Sequence, residues 1–223
     1  MDIKSVACCF LLAVGSAHAE GVYVLGSVGQ SHFSNSLSDT VLGYTIDNDF
    51  GTTVTSSKID KNDSAYKFQI GYKFFENFAI EAGYINLGEQ KITVGLDAPA
   101  NFITGSGHGS MKVSGINADA VLLLPINAGF SMFFKLGVLD AKTKGSYDAS
   151  ATYSFGGFTD SFSESDSSSV KKRSANFGGG MAYNFYKGAS VRLELEQFNN
   201  VGDKHKTGTA NIQLASLGLS YEF

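Results

Sequence analysis

Arg192, Glu194 and Glu196 occupy every second position of the segment VRLELEQF, and Leu193 and Leu195 fill the positions between them. The same placement recurs for Lys67, Lys73, Glu81, Asp119, Lys135 and Glu222, each set among apolar neighbours. Cations and carboxylates gathered on one face can pair, and re-pairing them can open or close a conduit. The plainer outcome is mutual neutralisation inside an interior filled by side chains. A second candidate is His108-Gly109-Ser110, a base two residues from a hydroxyl nucleophile. It sits in the glycine-rich stretch TGSGHGSM, read as a flexible loop, and has no acidic partner nearby in sequence to orient the imidazole. His32 and His205 lie in separate connections, so the spacing implies no metal site. Asp47-Asn48-Asp49 followed by Gly51 has the composition of a calcium loop but not the EF-hand spacing, and reads as a turn. No cofactor is expected.

The charges need elements that hold them on one side. In AYKFQIGYKFF, Tyr66, Phe68, Ile70, Tyr72 and Phe74 share one parity, and Lys67, Gln69, Gly71 and Lys73 share the other. Period two over this length is a strand with one apolar and one polar face. The alternation predicts eight strands, at about 21–31, 65–75, 78–89, 111–124, 130–143, 174–186, 189–199 and 209–223. Three connections are tiny, at Phe75-Glu76-Asn77, Pro125 to Gly129 and Tyr186-Lys187-Gly188. The other four are polar and mostly long, with the first at Ser31–Ser64 and the third at Lys144–Arg173. Short turns at one end and long loops at the other point to an all-β, eight-stranded antiparallel up-and-down transmembrane barrel.

Alternation by itself also fits a soluble barrel whose apolar parity faces inward. Three features favour lipid on the apolar side. Phe74, Phe78, Phe130, Tyr183, Phe185 and Phe223 lie near the short turns, as an interfacial girdle would. The polar parity carries Gly71, Gly83, Gly137, Gly178, Gly180 and Gly218, which suits a narrow interior. The start of the chain reads as an export signal. Lys4 precedes the apolar stretch Val6 to Val14, and Ala17-His18-Ala19 is a small-x-small cleavage site. The expectation is a signal peptide over 1–19 and a barrel domain over 20–223. Both cysteines, Cys8 and Cys9, fall inside the signal, so the exported chain has none.

Register follows from the charges. A slip of one residue would turn Lys67, Lys73, Glu81, Lys135, Arg192, Glu194 and Glu196 towards lipid, where a basic residue costs about 2–4 kcal/mol at the midplane. Several such costs exceed the roughly 5–15 kcal/mol that holds a typical domain together. A net charge of −4 with no basic stripe argues against nucleic acid as a partner.

GYKFFENFAIEAGYINLG, VRLELEQFNNVGDKHKTGT and LASLGLSYEF together resemble the transmembrane domain of the OmpA family, with OmpX-type barrels as the nearer comparison. The resemblance implies a home in the outer membrane of a Gram-negative bacterium, with outer-membrane lipid and lipopolysaccharide around it. It implies that Leu217, Leu219, Tyr221 and Phe223 serve as the signal read by the outer-membrane assembly machinery. It also implies that Glu81 and Arg192 belong to a salt-bridged plug. The sequence departs from the family in having no counterpart of its periplasmic peptidoglycan-binding domain, so cell-wall tethering is not expected. The role expected is structural and surface-interacting, in envelope integrity or in adhesion to host-surface or phage ligands through the loops, without catalysis. Two alternatives stay open. One is a narrow gated pore. The other is a lipid A-modifying enzyme, because His108 and Ser110 are similar to the His-x-Ser pair of the lipid A deacylases. Finally, Gly156-Gly157 flanked by alternating residues is a two-residue hairpin signal. It sets Phe155 opposite Phe158, and the same register sets Leu136 opposite Phe177, Met132 opposite Met181 and Phe130 opposite Tyr183. Strands five and six are therefore expected to continue past the membrane as one hairpin.

Overall fold

The computed structural model of the chain describes residues 21–34, 53–98, 102–127 and 129–223. The cleavage site at Ala17 and Ala19 and the Asp47–Asp49 turn lie outside the described residues. Nine strands follow one another: β1 (Val22–Ser34), β2 (Thr53–Asp60), β3 (Asn62–Phe75), β4 (Phe78–Ala98), β5 (Ile103–Asn127), β6 (Phe130–Phe155), β7 (Phe158–Tyr186), β8 (Ala189–Asp203) and β9 (Gly208–Glu222). Every pairing is antiparallel. β1 pairs with both β3 and β9, and β4 pairs with both β3 and β5, so the sheet closes on itself.

Eight strands form the ring. β2 is set off from β3 only by Lys61 and continues its pairing along the far half of β4. The join coincides with a bulge in β4, where the partnership skips Leu87 between Asn86 and Gly88. Gly88 takes a φ of +80° there, and the Asp63 carboxylate accepts from the Glu89 amide at 2.7 Å. A bulge of this kind bends the strand and strengthens its twist. The three short turns gather at one end with Gly21 and Phe223, whose backbone bonds to Val22. That end is periplasmic in a barrel of this class, and the long strands rise at the other.

The outward rows hold Val28, Phe68, Ile116, Phe134, Leu136, Phe177, Leu195 and Leu219, all exposed on the chain and all positioned to meet lipid. The inward rows are crowded. A Cβ on Gly71 would stand 2.1 Å from the Tyr23 ring, whereas one on the outward Gly26 would meet nothing within 4 Å. Glycine on the inner face makes room for large neighbours rather than for an open channel.

The structure corrects the sequence reading beyond the membrane. Lys144–Arg173 is not a loop. β6 and β7 pair without a break from Phe130↔Tyr183 to Phe155↔Phe158, and Gly156 and Gly157 turn the chain with φ of +59° and +84°. All four residue pairs set by the hairpin register are realised, and the same register places Lys142 opposite Lys171. The connection at 90–110 is also mostly strand, because β4 runs to Ala98 and β5 starts at Ile103. Part of Ser31–Ser64 is strand as well, as the end of β1, all of β2 and the first residues of β3. Above the membrane a strand needs no apolar face, so the alternation that marks the spanning segments fades there.

Candidate functional site

The interior has three levels. At the periplasmic end Tyr23, Ala79, Val121, Phe133 and Ala182 pack together. Above them lies the charged level, and above that a second apolar cluster built around Phe33, Leu87, Met111, Leu139, Phe198 and Ile212.

Lys135 stands at the centre of the charged level, with its side chain wholly buried. Its Nζ lies 2.7 Å from Glu81 Oε2 and 3.5 Å from both Asp119 Oδ2 and Glu196 Oε1, with Glu194 at 3.7 Å. Arg192 forks between two carboxylates, at 2.6 Å from Glu81 Oε1 and 2.8 Å from Glu194 Oε1. Its Cζ lies over the Phe133 ring, 4.2 Å from the ring centre, a cation–π contact shielded from water. Lys67 pairs with Glu194 and Glu196. Lys73 and Glu222 pair with each other in a half-exposed position nearer the short turns. Strand geometry explains the gathering: Glu81 is directly opposite Asp119 on β4 and β5, and Gly137 on β6 is opposite Asp119 in turn.

Within the buried set, Lys67, Lys135 and Arg192 face Glu81, Asp119, Glu194 and Glu196. Carboxylates outnumber cations by one. Neutral donors make up the difference. Asn176 donates to Asp119 Oδ1 at 2.7 Å, Asn117 to the same oxygen at 3.1 Å, and Gln69 to Oδ2 at 3.2 Å. Tyr23 donates its hydroxyl to Glu81 at 2.6 Å. These four residues were not singled out from the sequence. Gln69 and Asn117 share the inward parity with known charges, which is the signal that would have found them.

The pair His108 and Ser110 is on strand β5 rather than in a loop. His108 stands opposite Asp148 in register, but its Nδ1 bonds Thr93 Oγ1 at 3.2 Å, and Ser110 bonds Ser146 at 2.9 Å. Each group is engaged with a neighbour other than its would-be partner. His32 bonds Asn62 at 2.7 Å, and the His205 backbone amide donates to the Asp203 carboxylate at 3.0 Å. Among the described residues no group of three or more His, Cys, Asp or Glu side chains is arranged to hold a metal ion.

A second feature lies outside the membrane. Beyond Asn176, β7 has no strand partner on its β8 side among the described residues, although Ser168 donates to the Lys206 carbonyl at 2.5 Å. The ribbon of β6 and β7 has two unlike faces. Ser161, Ser163, Ser165, Ser167 and Ser169 line one, opposite Thr152, Ser150, Asp148, Ser146 and Lys144. The other carries Tyr153, Phe155, Phe158 and Phe162, all exposed, with the Phe102 ring tilted against Phe155 at 5.3 Å. Tyr147 on this face donates to Glu164 at 3.0 Å, and that bond holds its phenol above the ordinary range.

A family model described as the OmpA-like transmembrane domain matches residues 17–223. Outer membrane protein A of Shigella dysenteriae is 27% identical over 174 residues, covering 74% of this chain and 43% of that protein. The chain thus spans less than half the length of the curated relative it matches. Among solved structures, Ail of Yersinia pestis, crystallised with the heparin analogue sucrose octasulfate, is 18% identical with a TM-score of 0.44, covering 92% of this chain and 99% of that one. OprG of Pseudomonas aeruginosa is 11% identical with a TM-score of 0.48, covering 93% and 98%.

Proposed function

The chain belongs to the family of OmpA-like transmembrane domains, and from that premise we propose that this outer-membrane barrel acts through its surface ribbon, as an adhesin anchored by a closed lumen. A structural or surface role in the bacterial outer membrane is the ground on which the adhesive reading stands. The observation that carries it is the row of bare aromatic side chains at Tyr153, Phe155, Phe158 and Phe162, far from the lipid-facing rows. Contiguous apolar surface that meets neither core nor bilayer marks a contact site for another molecule. The side of β7 beyond Asn176, which has no strand partner among the described residues, adds backbone donors and acceptors that a host-surface protein can extend as a further strand.

The filled interior supports this over conduction. Opening a path would require moving an apolar cluster above the charges as well as re-pairing the charges themselves. His108 and Ser110 bond to Thr93 and Ser146, which favours a structural part for both over catalysis. Leu217, Leu219, Tyr221 and Phe223 form the outward edge of the closing strand, with the last two rings 5.3 Å apart, and we assign them to recognition by the assembly machinery.

The ribbon is tested on bacteria that display the barrel. Replacing Phe155, Phe158 and Phe162 together by serine should lower attachment to surfaces coated with host matrix protein several-fold. The amount of folded barrel, read by its heat-dependent gel mobility, should stay unchanged. Equal attachment of the two strains would remove the adhesive role.

A further inference from the structure

Two cross-strand contacts in the barrel wall work against folding. Lys112 on β5 stands directly opposite Lys144 on β6, and Lys142 on β6 stands directly opposite Lys171 on β7. Directly opposed residues of an antiparallel pair share a face and lie close, so like charges there repel. All four side chains point outward and are exposed: Met111, Val113, Ala141 and Thr143 beside the first three are buried in the interior, and Lys171 shares the face of its partner Lys142. None of the four has an acidic partner within ion-pair distance among the described residues; Glu89 on β4 stands opposite Lys112 in register but pairs with Lys91 at 3.6 Å. Arg173 extends the same outward row opposite Asp140.

The height of this patch tells what it meets. The lipid-facing row on β6 ends at Val138, and Lys142 comes four residues later. With a rise of about 3.4 Å per residue and a strand tilt of about 40°, the lysines sit roughly 10 Å above the last apolar contact. That is the level of the headgroups of the outer leaflet, on the convex face of the wall that lipid surrounds.

We propose that Lys112, Lys142, Lys144 and Lys171 form a binding site for a phosphorylated glycolipid of the outer leaflet, with its phosphates seated among the four ammonium groups and its acyl chains along Ile116, Leu136, Val138 and Phe177. The bound phosphates turn two repulsive contacts into a bridge between three strands. The site tethers the base of the ribbon to the leaflet and holds the outer wall of β5, β6 and β7 together. It depends on the membrane placement of the barrel and not on adhesion, so it stands or falls independently of that role.

The test uses the refolded full chain in zwitterionic detergent, with binding read by native mass spectrometry. The probes are bisphosphorylated lipid A, enzymatically dephosphorylated lipid A and a soluble sulfated oligosaccharide. The wild-type barrel should retain bisphosphorylated lipid A at least tenfold better than the dephosphorylated form. The fourfold variant Lys112→Gln, Lys142→Gln, Lys144→Gln, Lys171→Gln should lose that preference, while Lys187→Gln at the opposite end should keep it. Heat-dependent gel mobility shows whether each variant is folded, and the double variant Lys142→Gln, Lys171→Gln, with an intermediate loss expected, serves if the fourfold one is not. Equal retention of the two lipid A forms by the wild type would overturn the site. So would an undiminished preference in the folded variants. Lysine-dependent binding of the oligosaccharide without binding of lipid A would overturn the lipid as occupant.

Discussion

Replacing Lys135 by methionine should destabilise the folded barrel by about 3–5 kcal/mol, the usual cost of breaking a buried ion pair from one side. Lys135 is fully buried and lies within 3.7 Å of four carboxylates, so its loss leaves Glu81, Asp119, Glu194 and Glu196 facing one another with two cations, Lys67 and Arg192. Urea unfolding from detergent or lipid vesicles reads the change. A loss of this size lowers the folded-to-unfolded ratio roughly a hundredfold to several thousandfold. The double variant Lys135→Met, Glu196→Gln restores the original excess of one carboxylate and should recover part of the loss. A single variant as stable as the wild type would mean that the carboxylates take up protons or water without strain, and that the network is not a structural unit.

The next residue gives the opposite test. Phe134 points outward, opposite Leu122 on β5 and Gly179 on β7, near the middle of the lipid-facing rows. Phe134→Arg should cost about 2–4 kcal/mol when the barrel unfolds from a bilayer, the price of a basic side chain at the midplane. Phe134→Leu serves as the control for lost ring contacts and should cost much less. A soluble barrel with its outer face in water would accept the arginine with little change. Adjacent positions in one strand thus tolerate opposite chemistry, with a cation required at 135 and forbidden at 134.

Much of this was legible in the sequence, for a reason that particular residues show. Lipid imposes an apolar parity on the spanning segments, and Lys67, Glu81, Lys135, Arg192, Glu194 and Glu196 could only lie on the other one. The closure of the ring and the register of β6 on β7 follow from that parity and from Gly156-Gly157. The extended ribbon was harder to see as strand along its whole length. Serine at every second position from Ser161 to Ser169 is itself a period of two, but serine favours neither lipid nor core, so the tract reads as solvated loop. The partners of each charge were not legible at all. That Asp119 relies on Asn117, Asn176 and Gln69 depends on the stagger between strands, which the bulges at Leu87 and near Asn200 adjust.

The proposed adhesin is sealed along its axis and works on its outer surface. A cavity of about 300 Å³ opens at the periplasmic end beside Lys73, Asn184 and Glu222, and it ends against Phe133 and Arg192. Above that point the charged level and the apolar cluster of Phe33, Met111, Phe198 and Ile212 fill the interior. Single-channel recording of the purified barrel in a planar lipid bilayer probes this directly. The expected record is a flat baseline broken only by brief, small events, unchanged when Arg192→Gln disturbs the charges beneath an intact apolar cluster. Sustained openings in the wild-type barrel, or long-lived openings created by Arg192→Gln alone, would contradict it and make the charge network a gate.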